Sequence, residues 1–267
     1  MVIDTIGFNR TDADLLLPLA PQIGQLITIS SASVYADAAG RSLDEARTGG
    51  FPEFDAPIIE TQATVPPGDD TYPTRKVAME QQLLDVMRCP VDVLRPCAIH
   101  GIGSRHPREW WFVKRLLDCR RAVPLAYDGD SRFQTTAAAS IGRLATVLAA
   151  RQTRGIFNIA DPDASTVTEI GTVIAARMAR PIAFRRLASA PRNHIGETPR
   201  CVPRPYIIDN SAALAAGFRH AGDYAMLVEP MIDWLVATAS DGDWRPRYPV
   251  LACYGYGPFD YAAEDAT

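Results

Sequence analysis

The sequence has no run of apolar residues approaching the roughly 18 to 20 that a membrane span needs, and no secretory segment at its start. It is read as a soluble protein with no membrane partner. Cysteine is scarce: Cys89, Cys97, Cys119, Cys201 and Cys253 are five in number and scattered, with no CxxC pair. That pattern excludes a disulfide framework and predicts a reduced, cytoplasmic protein. The four histidines, His100, His106, His194 and His220, show no HxxxH spacing and none pairs with a cysteine, so no metal site is expected. Neither sign of charge dominates, with 31 acidic against 27 basic side chains and a net charge of −4. Such a balance gives no general attraction for nucleic acid, and any anionic ligand has to be held by a local Arg/Lys cluster. Internal repeats, low-complexity tracts and charged tails are absent as well.

What is present is a chain of 267 residues that is 47% apolar, enough for a sizeable core. Val2 to Phe8 is a short apolar run that reads as a strand. Thr11-Asp12-Ala13-Asp14 then opens a helix-like Leu15-Leu16-Leu17. Gln25 to Ser31 has the composition of a central parallel strand and ends in the small polar cluster Ser30-Ser31-Ala32-Ser33. Residues 36–71 carry many Gly and Pro without a period and read as an irregular loop, long enough to be functional. The spacing of Val77, Leu83, Leu84 and Met87 predicts a helix from about Tyr72 to Met87, followed by a strand at Val91 to Leu94 that ends at Arg95-Pro96. Further on, a helix from Arg108, a strand at Val123 to Tyr127, a helix at Ala137 to Ala150, a strand at Gly155 to Ala160 and a helix at Val167 to Met178 are expected. Pro181 to Pro205 reads as a substrate-side loop or strand region, and Tyr224 to Ala237 as a final helix.

Alternation of strands and helices implies parallel pairing, with ligand sites at the carboxyl ends of the strands. The strongest chemical signal there is Tyr72-Pro73-Thr74-Arg75-Lys76. Residues four apart share one helix face, so phenol and ammonium stand side by side, and a neighbouring cation lowers a phenol pKa toward a usable proton acceptor. Proline is tolerated at the first helical position, which makes Tyr72 the expected cap residue.

These residues, with Ile29-Ser30-Ser31-Ala32-Ser33-Val34-Tyr35 upstream and Leu94-Arg95-Pro96-Cys97-Ala98-Ile99-His100-Gly101 downstream, resemble the NAD-dependent epimerase/dehydratase group of extended short-chain dehydrogenase/reductases. The resemblance covers most of the chain. It implies Ser31 as the residue that hydrogen-bonds the reacting oxygen, Tyr72 as general acid/base, and Lys76 as the lysine that binds the nicotinamide ribose and lowers the tyrosine pKa. It implies NAD or NADP as cofactor, bordered by Ile6, Gly7, Tyr72, Lys76, Pro96 and Ile99. Asp128 to Phe133 resembles the segment whose arginine, here Arg132, contacts a substrate such as a nucleotide-sugar pyrophosphate, and Phe157-Asn158-Ile159-Ala160 resembles the strand opening the substrate lobe.

The sequence also departs from this pattern. No GxGxxG or GxxGxxG occurs, and Val2 to Phe8 aligns with the family's fourth strand, so roughly 70 residues of the pyrophosphate- and adenosine-binding half have no counterpart. The family's Asp after Arg132 is replaced by Ala137-Ala138-Ala139-Ser140. The expected fold is therefore α/β: an N-terminally truncated Rossmann-like parallel sheet with a small C-terminal substrate lobe, residues 1–125 carrying the Ser/Tyr/Lys set and 126–267 completing the sheet and forming the lobe. The open strand edge suggests a homodimer.

Arg105, Arg108, Trp110, Trp111, Lys114 and Arg115 form a basic, aromatic cluster. Arg105, Arg108 and Trp111, with Ser33 and Arg132, are the expected contacts to a small-molecule substrate. The bland alternative is an amphipathic helix with a buried Trp face. Cys97 is expected to be a buried inert thiol and His100 a hydrogen-bonded structural histidine. Three functional expectations stay open at this point. One is an NAD(P)-dependent epimerase, dehydratase or reductase. Another is a truncated or non-catalytic relative acting as a binding module. The third is that the sequence starts inside a longer protein.

Overall fold

Leu26, Val91 and Val93 point to one face of a sheet, and Ile27 and Leu94 to the other, so both central strands are apolar on both sides. Strands of that composition sit inside a sheet covered by helices on each face. The computed structural model describes residues 1–240, 242–254 and 257–266, apart from the side chains of Glu45 and Arg47. Its strands are β1 (Val2–Asp4), β2 (Leu26–Ile29), β3 (Val91–Pro96), β4 (Ala98–His100), β5 (Ala122–Ala126), β6 (Thr135–Ala137), β7 (Gly155–Ile159) and β8 (Ala183–Leu187). The main sheet has the order β1-β2-β3-β7 and is parallel throughout, with Ile3 opposite Ile27, Ile27 opposite Asp92, and Leu94 opposite Phe157.

Two helices cover one face: α1 (Arg10–Leu16) and α2 (Tyr72–Val86). From them Ala13, Met79 and Leu83 pack on Leu26, Val91 and Val93. On the other face Leu144 and Leu148 of α4 (Ala138–Ala149) and Phe218 cover Ile27, Leu94 and Ile159. Full burial of each such side chain stabilises the fold by about 1.5–3 kcal/mol. β1 is an outer strand of this sheet, and Ile3 on it is 44% exposed.

A second core belongs to the lobe. Trp110, Trp111 and Phe112 of α3 (Trp110–Leu117) pack with Val123 and Leu125 of β5, Ile170 and Ile174 of α5 (Val167–Arg177), and Val228 and Ile232 of α7 (Tyr224–Ala237). Pairing in this half is local: β4 lies parallel to β6, and β5 parallel to β8, outside the main sheet. Between α5 and α7 lies the short α6 (Ser211–Ala215). α7 is not the last helix, since α8 (Pro249–Ala252) and α9 (Tyr261–Asp265) follow. Glu264 of α9 forms an ion pair with the buried Arg115 of α3, which ties that end of the chain to the lobe. Among the described residues no helix is long and apolar enough to cross a membrane.

Candidate active site

Ser31 follows β2 directly and caps the 3₁₀ turn Ala32–Val34, its Oγ accepting from the Ser33 amide at 3.2 Å. The Ser33 hydroxyl lies 2.9 Å from the same Oγ, so Ser33 acts here as a partner of Ser31. The turn cannot shift easily. Below it, Tyr206 Oη donates to the Ala32 carbonyl at 2.6 Å, and Tyr35 Oη donates to Asn158 Oδ1 at 2.7 Å. The Arg95 guanidinium, paired with Glu80 at 2.5 Å, stands 4.9 Å over the Tyr35 ring. Burial pushes the Tyr35 phenol up to about 12, so it holds its proton and serves as structure.

α2 brings Tyr72 to this point. Thr71, not Tyr72, is the cap: its Oγ1 accepts from the Thr74 amide while Thr74 Oγ1 accepts from the Thr71 amide, a reciprocal capping box. The two threonines satisfy the end of the helix, which leaves Tyr72 at the first helical position with Pro73 after it. The Tyr72 amide donates to Asp44 Oδ2 at 3.1 Å, and its ring packs on Phe8 with centroids 5.3 Å apart. Its phenol lies close enough to the Ser31 side chain for Ser31 to lower its pKa. Burial raises the phenol pKa above its ordinary value. The Ser31 side chain and the Arg108 charge oppose that rise, and Asp44 adds to it.

Lys76 lies one turn on and is 6% exposed. Its ammonium donates to the Gly7 carbonyl at 2.5 Å and the Ile29 carbonyl at 2.9 Å, stitching the loop after β1 to the end of β2. The expectation that Lys76 pulls the Tyr72 pKa down is not met in this arrangement: the phenol is raised, and the groups lowering it are Ser31 and Arg108. Sequence spacing placed the two residues on one helix face, but the lysine reaches inward to backbone carbonyls. Burial lowers the Lys76 pKa, against the raising influence of Asp4, Glu80 and Asp12.

The cofactor-side candidates lie at the same carboxyl edge. Asp4 Oδ1 accepts from the Ile6 and Gly7 amides at 3.0 and 2.8 Å, and this local turn ends β1. A Cβ at Gly7 would fall 2.2 Å from Asp4 Oδ2, so the close turn requires glycine. Ile6 is 88% exposed and Ile99 38% exposed, whereas Pro96 is buried at the end of β3. An ammonium has three donors and Lys76 spends two of them on carbonyls, leaving one for a ribose hydroxyl. Exposed Ile6 and Ile99 offer apolar cover for a flat ring. The residues present thus fit the nicotinamide-ribose end of a dinucleotide.

The basic cluster divides. Arg108 is half-buried and close enough to Tyr254, Tyr72 and Cys97 to interact with each electrostatically; it makes no ion pair among the described residues. Arg105 is exposed. Trp111 does not face the site: it is 1% exposed in the lobe core, under the Arg115 guanidinium at 3.4 Å. The apolar demand of α3 overrides the reading of an aromatic substrate clamp. Arg132 donates to the Ala164 carbonyl and stands 3.8 Å from Glu169. Burial pushes the Cys97 thiol up to about 12, and His100 is fully buried with Nε2 2.8 Å from Asp161 Oδ2.

A cleft of about 400 Å³ is lined in part by Leu43, Phe51, Tyr127, Glu197, Cys201 and Tyr254, and none of Ser31, Tyr72 and Lys76 lines it. Sequence reasoning missed Asp44, which braces Tyr72. It lies in an aperiodic stretch, and only the fold brings it to the site.

No protein-family model matches the sequence, and no curated protein matches it. Solved structures do. The chain is similar to MoeE5 in complex with UDP-glucuronic acid and NAD, at 19% identity and a TM-score of 0.61, over 86% of this chain and 71% of that one. UDP-glucuronic acid 4-epimerase from Bacillus cereus, with UDP-glucuronic acid and NAD, matches at 15% identity and a TM-score of 0.63, over 86% and 68%. dTDP-glucose 4,6-dehydratase from Bacillus anthracis, with NAD, matches at 15% identity and a TM-score of 0.60, over 85% and 67%. At these identities the likeness establishes the fold: a Rossmann-like α/β architecture shared with sugar-nucleotide epimerases and dehydratases.

Proposed function

We propose that this chain is an NAD(P)-dependent oxidoreductase of the epimerase, dehydratase or reductase kind, acting on a hydroxyl or carbonyl of a small substrate. The observation that carries the reading is the placement of Ser31, just after β2, close enough to the Tyr72 phenol to act on its pKa, at the carboxyl edge of the sheet and one helical turn from Lys76. Nicotinamide, when bound, supplies the hydride acceptor or donor. Every other role falls to the chain. Ser31 holds the substrate oxygen within reach of the phenol. Tyr72, its pKa raised by burial, keeps its proton near neutrality and so donates to a developing alkoxide; in the opposite direction it accepts the hydroxyl proton. Lys76 uses its third donor on the ribose and fixes the loop that carries Ile6 and Gly7. Arg108, with no carboxylate partner among the described residues, faces Tyr72 electrostatically and receives an anionic or polar substrate group, with Arg105 at the rim.

The fold shared with NAD-bound neighbours supports the cofactor class. Replacing Tyr72 with Phe tests the role of the phenol: NADH oxidation in a screen of carbonyl compounds is expected to vanish while the melting temperature stays near wild type. Turnover undiminished in that variant defeats the assignment.

A second reading concerns assembly. Ile3 on β1, Met1 just before it, Leu15 on α1 and Leu19 in the 3₁₀ turn that follows α1 are exposed, at 44%, 63%, 70% and 47%. An outer strand with an apolar flank pairs readily with another strand, and we propose a homodimer through this edge. Sedimentation of the purified chain decides it, a monomer at all concentrations speaking against the edge. The free cysteines fit a reducing compartment such as the cytoplasm.

A further inference from the structure

Three side chains of α2 close on two residues of the loop after β1. Tyr72, Arg75 and Lys76 stand at i, i+3 and i+4, on one face of the helix. Lys76 donates to the Gly7 carbonyl, and the other two meet the next residue, Phe8. The Tyr72 and Phe8 rings have centroids 5.3 Å apart and are tilted by 53°, while the Arg75 guanidinium stands 5.8 Å from the Phe8 centroid. Both separations are those of attractive ring–ring and cation–ring contacts. Phe8 is itself anchored. Its amide donates at 2.8 Å to Asp12 Oδ2, the carboxylate that also closes the capping box of α1. Arg75 is held by its Nε, which donates to the Asp69 carbonyl at 2.6 Å.

Phe8 is 37% exposed and belongs to none of the apolar cores, so its ring does not serve the interior. What it covers is Tyr72. The Tyr72 backbone is fixed by the helix and by Asp44, but its side chain turns about two torsions, and among the described residues Phe8 is the one aromatic ring it packs on. A proton donor works only within hydrogen-bond reach of its target, and a misplacement of about 1 Å costs about a hundredfold in rate. We propose that Phe8 is a positioning residue for Tyr72: its ring, fixed between the Asp12 and Arg75 contacts, covers one side of the Tyr72 ring and holds the phenol in one orientation. The proposal rests on the reading of Tyr72 as the acid/base group, and Phe8 acts through Tyr72 alone.

Fluorine NMR of the full chain carrying 3-fluorotyrosine, whose more acidic phenol titrates closer to neutrality, tests it; loss of one signal in Tyr72→Phe identifies Tyr72. Burial is what lifts the Tyr72 phenol, so uncovering the ring in Phe8→Ala is expected to bring its titration down toward the ordinary value. Phe8→Tyr keeps the flat ring and is expected to titrate as wild type, and Phe8→Leu, with apolar bulk but no ring, to fall between. Melting temperatures are expected to stay near wild type, and Phe8→Leu carries the test if Phe8→Ala does not fold. A merely structural Phe8 would lower the melting temperature and leave the Tyr72 titration in place; that result overturns the proposal, as does an upward shift or a Phe8→Tyr variant that behaves like Phe8→Ala. The readout needs neither cofactor nor turnover, so the two claims fail separately. An unmoved titration removes the role of Phe8 and leaves the acid/base reading standing, whereas full turnover in Tyr72→Phe defeats that reading whatever Phe8 does.

Discussion

The phenol of Tyr72, in the first turn of α2, lies close enough to the side chain of Ser31, in the turn that follows β2, for that side chain to act on its pKa. Two segments about forty residues apart in sequence thereby meet at one point. The contact has an electrostatic consequence: it works against the burial that raises the phenol pKa.

Replacing Ser31 with Ala removes that opposing contact, so the phenol pKa rises further. The pH–rate limb that reports Tyr72 is expected to move up, with turnover falling about a hundredfold for loss of the oxygen-positioning group. A pH profile of wild type and variant checks this, and a downward shift contradicts it.

How much of this was legible in the sequence follows from where each residue gets its partners. The apolar runs around Ile27 and Val93 announce a two-sided buried sheet because their pattern is local. The Tyr72/Lys76 pair was legible for the same reason: helix periodicity fixes their common face. Trp111 was not, because a Trp beside arginines reads alike whether it lines a cleft or a core, and the packing of α3 on α5 and α7 decides. Likewise the carbonyls that take Lys76, from Gly7 and Ile29, are set by strand placement. The β4–β6 and β5–β8 pairs are too short to show a period, and their partners lie far along the chain.

Asp37 organises the loop that carries Leu43, Asp44 and Phe51. Against the raising effect of its burial, the Glu53 and Arg41 amides, the Arg41 guanidinium and the Ala39 amide hold its carboxyl down at about 2. A carboxylate with a depressed pKa contributes stability above its unfolded value and loses it on acidification. The contribution, about 2 kcal/mol, is therefore present above about pH 4, and it is lost as the pH falls to about 2. Asp37→Asn is expected to be less stable at neutral pH and to show a flatter stability profile across that window, measured by urea denaturation at stepped pH. An unchanged profile contradicts the role.

Trp111 is core, so Trp111→Ala is expected to destabilise the lobe by about 3–5 kcal/mol through the cavity it leaves. A chemical-denaturation midpoint reads this directly. A variant with the wild-type midpoint and weakened ligand binding would return Trp111 to the substrate site.

The central claim is that Lys76, stitched to Gly7 and Ile29, keeps a donor for a nicotinamide ribose beside Tyr72. Fluorescence titration of the purified chain with NADH and with NADPH, alongside Lys76→Ala, tests it most directly. Saturable binding of one of the two, weakened about ten- to a hundredfold in the variant by loss of a charged hydrogen bond, is the predicted result. Absence of saturable binding into the millimolar range, or binding that Lys76→Ala leaves unchanged, contradicts the account.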